Sequence, residues 1–161
     1  LCKDWEAEAA AAANFGARTA CMRFGIVLAC DGGALPRMVL PFKFGAGGRL
    51  GSGKQWMSWV ALGEVASIVK FVIANESLSG AINAVSPQPV RNSEFTRILA
   101  SVLHRPAIFP APAFALKLAL GEMAEGLLLS GQRVLPARLV SAGYQFQETD
   151  LHAALVAVFA K

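Results

Sequence analysis

The run Thr19–Leu28, TACMRFGIVL, is apolar at Cys21, Met22, Phe24, Ile26, Val27 and Leu28. Successive residues of a strand point to opposite faces. A strand apolar in both phases is therefore buried on both faces and needs helices above and below it. That requirement points to an α/β fold. The remaining punctuation agrees. An alanine-rich helix is expected from Leu1 to about Asn14, stopped by Asn14 and Gly16. Asp31-Gly32-Gly33 breaks the chain after the first strand, and a short helical turn follows over Met38–Phe44, entered or bent at Pro36 and Pro41. Trp56–Val60 and Gly80–Ser86 read as further strands. The helix between them carries Val65, Ile68, Val69 and Val72 on one face and ends at Asn75.

Pro87 and Pro89 make a rigid turn, and Asn92 is expected to cap a helix with Phe95, Ile98, Leu99 and Val102 on its apolar face. The pattern changes after Arg105-Pro106. Two helical pieces divided near Gly121 are expected, then helices over Pro136–Gly143 and near Thr149–Ala160, bridged by Tyr144–Phe146. Pro136 suits a first helical turn, and Thr149 or Asp150 suits a cap. The order predicts the C-terminal part of a doubly wound sheet followed by a small helical subdomain. We place the division at residues 1–105 and 106–161.

Composition removes several function classes. The chain is 161 residues long, 55% hydrophobic and 16% charged, which supports a substantial core and excludes disorder. The richest apolar stretch, Ala107–Leu129, is interrupted by prolines, Lys117 and Glu122, so no transmembrane segment is expected. The net charge of +4 comes from scattered basic residues. No stripe of Lys and Arg interleaved with aromatics suggests nucleic acid; the excess fits solvated surface or a small anionic ligand. Cys2, Cys21 and Cys30 have no metal or redox spacing. They read as idle thiols of a reducing, cytoplasmic environment. The chain opens inside a helical pattern without a methionine, which leads us to expect a piece that begins within a helix.

One segment mimics a nucleotide cradle. In GGRLGSGKQWMSW, Gly48-x-x-x-x-Gly53-Lys54 matches the start of a P-loop. A P-loop needs a strand before it, a helix at the lysine and a Ser or Thr after it. Here Gln55 follows the lysine, and Trp56–Val60 reads as strand. The triphosphatase reading fails on that context. No G-x-G-x-x-G, no G-x-S-x-G elbow and no metal-ligand spacing is present. His104 and His152 are isolated, and Asp4, Glu6 and Glu8 read as a solvated helix face. Glu122 and Glu125 fit either an exposed edge or a polar pair. No catalytic residue and no metal ligand is assigned.

The segments RFGIVLACDGGALPRMVLPF, GGRLGSGKQWMSWV, GAINAVSPQPVRNSEFTRILASVLHRPA and PAPAFALKLALGEMAEGLLLSGQRVLPARLVSAGYQF stand in this order. Together they resemble the epimerase-family proteins of the extended short-chain dehydrogenase/reductase superfamily, which carry a small C-terminal DUF1731 domain. The resemblance covers nearly the whole chain and implies a Rossmann-type, NAD(P)-binding parent whose glycine turn and Tyr-x-x-x-Lys pair lie outside this sequence. It implies that Gly25, Ile26 and Val27 approach the nicotinamide through backbone. It also implies a substrate loop, here Arg49, Lys54, Gln55, Trp56, Met57, Ser58 and Trp59, with Arg37 and Lys43 as further cations.

Met57 stands where nucleotide-sugar enzymes of the superfamily place an arginine. The customary His and Asp beyond it are Ala61 and Gly63. Each basic residue reads either as an anion contact or as surface charge. Trp56 and Trp59, on opposite strand faces, read either as ligand-stacking or as core. The implied function is the substrate-binding portion of an NAD(P)-dependent epimerase- or reductase-like protein, inactive alone and taking an anionic small molecule. The other reading is a non-catalytic sensor or interaction protein on the same scaffold, related to cell division. Self-association, or pairing with an absent N-terminal half, is expected from the apolar surface.

Overall fold

The structure is a computed structural model that describes residues 2–112 and 130–160. The helical pieces expected around Gly121, with Lys117, Glu122 and Glu125, lie outside the described residues. The chain runs α1 (Cys2–Ala11), a 3-10 turn (Ala12–Phe15), β1 (Ala20–Phe24), β2 (Ile26–Leu28), α2 (Leu35–Lys43), β3 (Trp56–Met57), β4 (Trp59–Ala61), α3 (Leu62–Ala74), β5 (Gly80–Ala84), β6 (Val90–Arg91), α4 (Asn92–Leu103), α5 (Ala137–Ser141) and α6 (Leu151–Phe159). Gly16 ends the first helical segment in the left-handed region, φ 76°, as expected of a glycine stop. The turn expected at Met38–Phe44 is a nine-residue helix that starts at Leu35. Pro36 sits in its first turn, where no N–H is required.

The expected single strand over Thr19–Leu28 is two strands. β1 pairs in parallel with β5, Ala20 opposite Gly80 through Phe24 opposite Ala84. β2 pairs in parallel with β4, Ile26 opposite Trp59. The partner changes at Gly25. There the Ile26 N–H donates to the Ser58 carbonyl at 2.8 Å, and a Cβ on Gly25 would collide with that same carbonyl. The other side of β4 takes the Ser86 N–H on the Trp59 carbonyl. β4 is thus wedged between the diverging ends of β2 and β5. WMSWV likewise splits at Ser58 into β3 and β4, and β3 pairs antiparallel with β6. Nothing in the sequence marks β6, which follows the proline turn directly.

Two cores lie on the two faces. Leu28, Trp59 and Ala61 pack with Leu35, Val39 and Phe42 of α2, Phe95 and Leu99 of α4, and Leu151 and Leu155 of α6. Val60, Ile82 and Ala84 pack with Ile68 and Val72 of α3 and with Leu139 of α5. The period of two along β4 separates Trp59 from Val60, and each is fully buried on its own side. The burial expected along Thr19–Leu28 is reached only in part: Leu28 of β2 is buried, whereas no residue of β1 is, and Phe24 is 46% exposed at the end of a strand with a single partner among the described residues. Asn92 does not cap α4 with its side chain. Arg91 holds the cap position, and Asn92 is buried with its amide turned to other work. Asp150 does cap α6, accepting from the Ala153 N–H at 2.8 Å.

One buried carboxylate ties the C-terminal bridge to α3. Glu64, 3% exposed, accepts from the Gln147 N–H at 2.9 Å, the Glu148 N–H at 2.8 Å and the Tyr144 hydroxyl. Tyr144 also packs edge-on against Phe71 and Phe146, with centroids 5.0 and 4.8 Å away. Burial, and then the hydrogen bond to Glu64, push the Tyr144 pKa upward.

Glu64→Ala leaves three donors without their acceptor and is expected to cost about 3 kcal/mol in urea denaturation, with Glu64→Gln in between. The Tyr144 shift has a sign that can be measured. A hydroxyl that holds its proton more tightly when folded stabilises the fold below the unfolded pKa of about 10, and that contribution falls as pH rises beyond it. Tyr144→Phe is therefore expected to lower stability at neutral pH and to flatten its decline above pH ~10.

Candidate functional site

The glycine-rich loop does not form an anion cradle. Its own carbonyls occupy the N-terminus of α4: the Asn92 N–H donates to Gln55 O at 2.9 Å and the Ser93 N–H to Gly53 O at 3.0 Å. The buried Asn92 side chain completes the staple. Its Oδ1 accepts from the Leu50 N–H at 2.9 Å, and its Nδ2 donates to Met57 Sδ at 3.2 Å. The far edge of the loop pairs with residues 109–111. The Gly51 N–H donates to Ala111 O at 2.8 Å, the Ala111 N–H to Arg49 O at 2.9 Å, and the Phe109 N–H to Gly47 O at 3.2 Å. A Cβ on Gly48 would run into the Phe109 carbonyl, so glycine there answers a close backbone approach. The lysine leads into a strand, as the sequence indicated.

The site residues expected from sequence separate into two groups. Gln55, Met57, Ser58 and Trp59 face inward. Gln55 Nε2 donates to Leu50 O at 3.0 Å. Met57 is 8% exposed and in contact with Asn92. Trp59 is fully buried with its Nε1 donating to Gln88 O at 2.9 Å. The Ser58 hydroxyl donates to Gln132 O at 3.0 Å and accepts from the Val134 N–H at 3.1 Å. Arg49, Lys54 and part of Trp56 face outward, and Arg37 and Lys43 are exposed on α2.

Trp56 stacks under the Arg91 guanidinium, 3.7 Å from its ring centroid, with Arg133 at 5.3 Å. Arg91 also donates to Lys54 O. A cavity of about 470 Å³ opens between α4 and residues 107–110. Arg49, Ser93, Thr96 and Arg97 line its polar side. Sequence reasoning missed Arg91, Arg97 and Arg133. Ser93 and Arg97 share a helix face by their spacing of four, which is a usable signal. Nothing local brings Arg133 to Trp56.

The residues read as cofactor contacts are held by the sheet. The space a side chain would take at Gly25 is filled by Ser58 and Val85. Ile26 and Val27 pair with β4 and pack against the two cores. No group of His, Cys, Asp or Glu able to hold a metal occurs among the described residues. No helix among them is long and apolar enough to cross a membrane. Cys2, Cys21 and Cys30 form no disulfide among the described residues.

The family described as Domain of unknown function (DUF1731) matches residues 111–158. The epimerase family protein YfhF of Bacillus subtilis is 42% identical over 94% of this chain and 49% of its own length. The chloroplastic epimerase family protein SDR39U1 homolog of Arabidopsis thaliana is 43% identical over 98% of this chain and 45% of its own. The crystal structure of human epimerase family protein SDR39U1, isoform 2, with NADPH superposes with a TM-score of 0.81 at 35% identity, covering 88% of this chain and 48% of that one. The chain spans about half the length of the curated relatives it matches. Parallel strands covered by helices on both faces, joined to these matches, make the fold Rossmann-type. Over 94–98% of its length the chain is thus similar to about half the length of the epimerase family protein YfhF and of the SDR39U1 homolog, and its residues 111–158 match DUF1731.

Proposed function

We propose that this chain supplies the substrate side of an NAD(P)-dependent epimerase- or reductase-like protein acting on an anionic small molecule. The observation that carries the reading is the similarity to the human protein whose crystal structure holds NADPH. On this reading the dinucleotide turn and the acid/base Tyr-x-x-x-Lys pair belong to the parent protein outside this chain. The sole tyrosine here, Tyr144, is committed to Glu64. Alone, the chain is catalytically inactive.

Arg49, Lys54 and Trp56 meet the substrate directly, and Arg37 adds positive charge from α2. Gln55, Met57, Ser58 and Trp59 fix those three from behind. Gly25, Ile26 and Val27 bring the end of a sheet strand beside the cofactor, which the rest of the parent holds. Residues 1–105 form the α/β part and 106–161 a helical subdomain docked on it. The compartment is a reducing aqueous one, the cytoplasm or, as for the chloroplastic Arabidopsis relative, an organelle interior.

The division of labour is tested by NADPH fluorescence. The 161-residue chain alone is expected to give no saturable signal. A chimera that joins the first half of the B. subtilis relative to this chain is expected to bind in the micromolar range. Saturable binding by the chain alone overturns the proposed inactivity. A chimera that unfolds cooperatively yet leaves NADPH fluorescence unchanged overturns the NAD(P) reading.

A further inference from the structure

We infer that the cavity between α4 and residues 107–110 binds an organic phosphate, a phosphate group carrying a short hydrocarbon portion. This deepens the substrate-side reading and rests on it for the ligand's role, although binding itself is measured without the cofactor.

The polar half of the cavity concentrates positive charge. Arg49 enters from the glycine loop and Arg97 from α4. Among the described residues neither guanidinium has an ion-pair partner; the ion pair found there joins Arg23 and Glu6. Two guanidinium groups facing one space repel each other unless an anion lies between them. Their planar forks suit the several oxygens of a phosphate better than a single carboxylate. Ser93 and Thr96 add hydroxyls from the same helix face, one turn apart.

The backbone that carries the loop arginine is fixed. The peptide groups of Arg49 and Leu50 are fixed to Ala111 and to the Asn92 side chain. Gly53, at φ 69°, gives the Arg49 stem room to lie: a Cβ there would stand 3.3 Å from Arg49 Cδ.

The other half of the cavity is apolar. Ala100 closes it from α4, and Ala107, Ile108 and Pro110 form the opposite wall. Ile108 is 71% exposed. Its segment is held to the loop by the hydrogen bonds of Phe109 and Ala111, so this apolar surface is presented at a fixed place beside the two arginines. A rigid apolar wall facing a cation pair matches an amphiphilic ligand, and about 470 Å³ accommodates a small one. The loop carbonyls already fill the N-terminus of α4, so the arginines and hydroxyls, not the helix dipole, would recognise the anion.

Calorimetric titration of the 161-residue chain, without NADPH, compares butyl phosphate, inorganic phosphate and pentanoate. Butyl phosphate is expected to bind saturably and about tenfold more tightly than either of the others. Arg97→Ala, an exposed helix position, is expected to weaken it about 10- to 100-fold. Ile108→Asp is expected to abolish the advantage of the ester over inorganic phosphate.

Pentanoate binding as tightly as the ester overturns the phosphate assignment. Inorganic phosphate binding as tightly overturns the apolar half. Absence of saturable binding, or an Arg97→Ala variant with cooperative unfolding and unchanged affinity, overturns the site. Any of these results leaves the NADPH titration of the chimera unaffected, so the two readings fail separately.

Discussion

Ser58 joins three segments that are far apart in sequence. Its carbonyl takes the Ile26 N–H where the first strand passes Gly25, and its hydroxyl both donates to Gln132 and accepts from Val134. The contact is close enough that residue 25 has no room for a side chain. From this point β4 spreads β2 from β5, and the chain at Gly131 crosses so near Trp56 that a Cβ there would strike its carbonyl. The end of β2 and the segment that carries Arg133 are both bonded to this one residue. A buried polar node of this kind holds a unique arrangement only while each of its groups is satisfied. Among the described residues no buried side-chain nitrogen or oxygen lacks a partner.

The glycine-rich loop illustrates how one composition can serve opposite geometries. In a phosphate cradle, glycines expose N–H groups to a ligand. Here they let the backbone approach its own neighbours: Gly48 meets Phe109, Gly47 lies against the Phe42 ring, and Gly53 sits beside Ser93 and Arg49. The carbonyls of Gly53 and Gln55 terminate α4, so the loop is part of the scaffold. Its outward products are Arg49 at the cavity and Lys54, whose carbonyl accepts from the arginine stacked on Trp56. Met57, aligned with an arginine of nucleotide-sugar enzymes by resemblance, instead receives a buried amide hydrogen from Asn92.

The fold was legible where periodicity is strong. The amphipathic spacing in α3 and α4 encodes their burial locally, whereas the two-phase apolar run over β1 and β2 overstates it, since only Leu28 of that run is buried. The shortest strands were not legible. β6 has two residues, and pairing, not propensity, makes it a strand. Asn92 was read as a cap because Asn is favoured at that position. The tertiary approach of Leu50 and Met57 engages its amide instead, one residue beyond the cap. The site was legible in part: Arg49, Lys54 and Trp56 belong to one contiguous segment, whereas Arg91, Arg97 and Arg133 reach it through strand pairing, helix phase and a long return of the chain.

The sequence by itself determined which helix faces turn to the core, that the loop could not be a P-loop, and which family the chain resembles. Each of these depends on residue types at short spacing, which the sequence records directly. Only the tertiary structure decided which tryptophan is core and which is stacked, that Ser58 and Glu64 are spent on holding the C-terminal segment, and that two arginines from different elements face one cavity. Those outcomes depend on contacts between segments many residues apart, where competition for the same hydrogen bonds and the same space selects the partner.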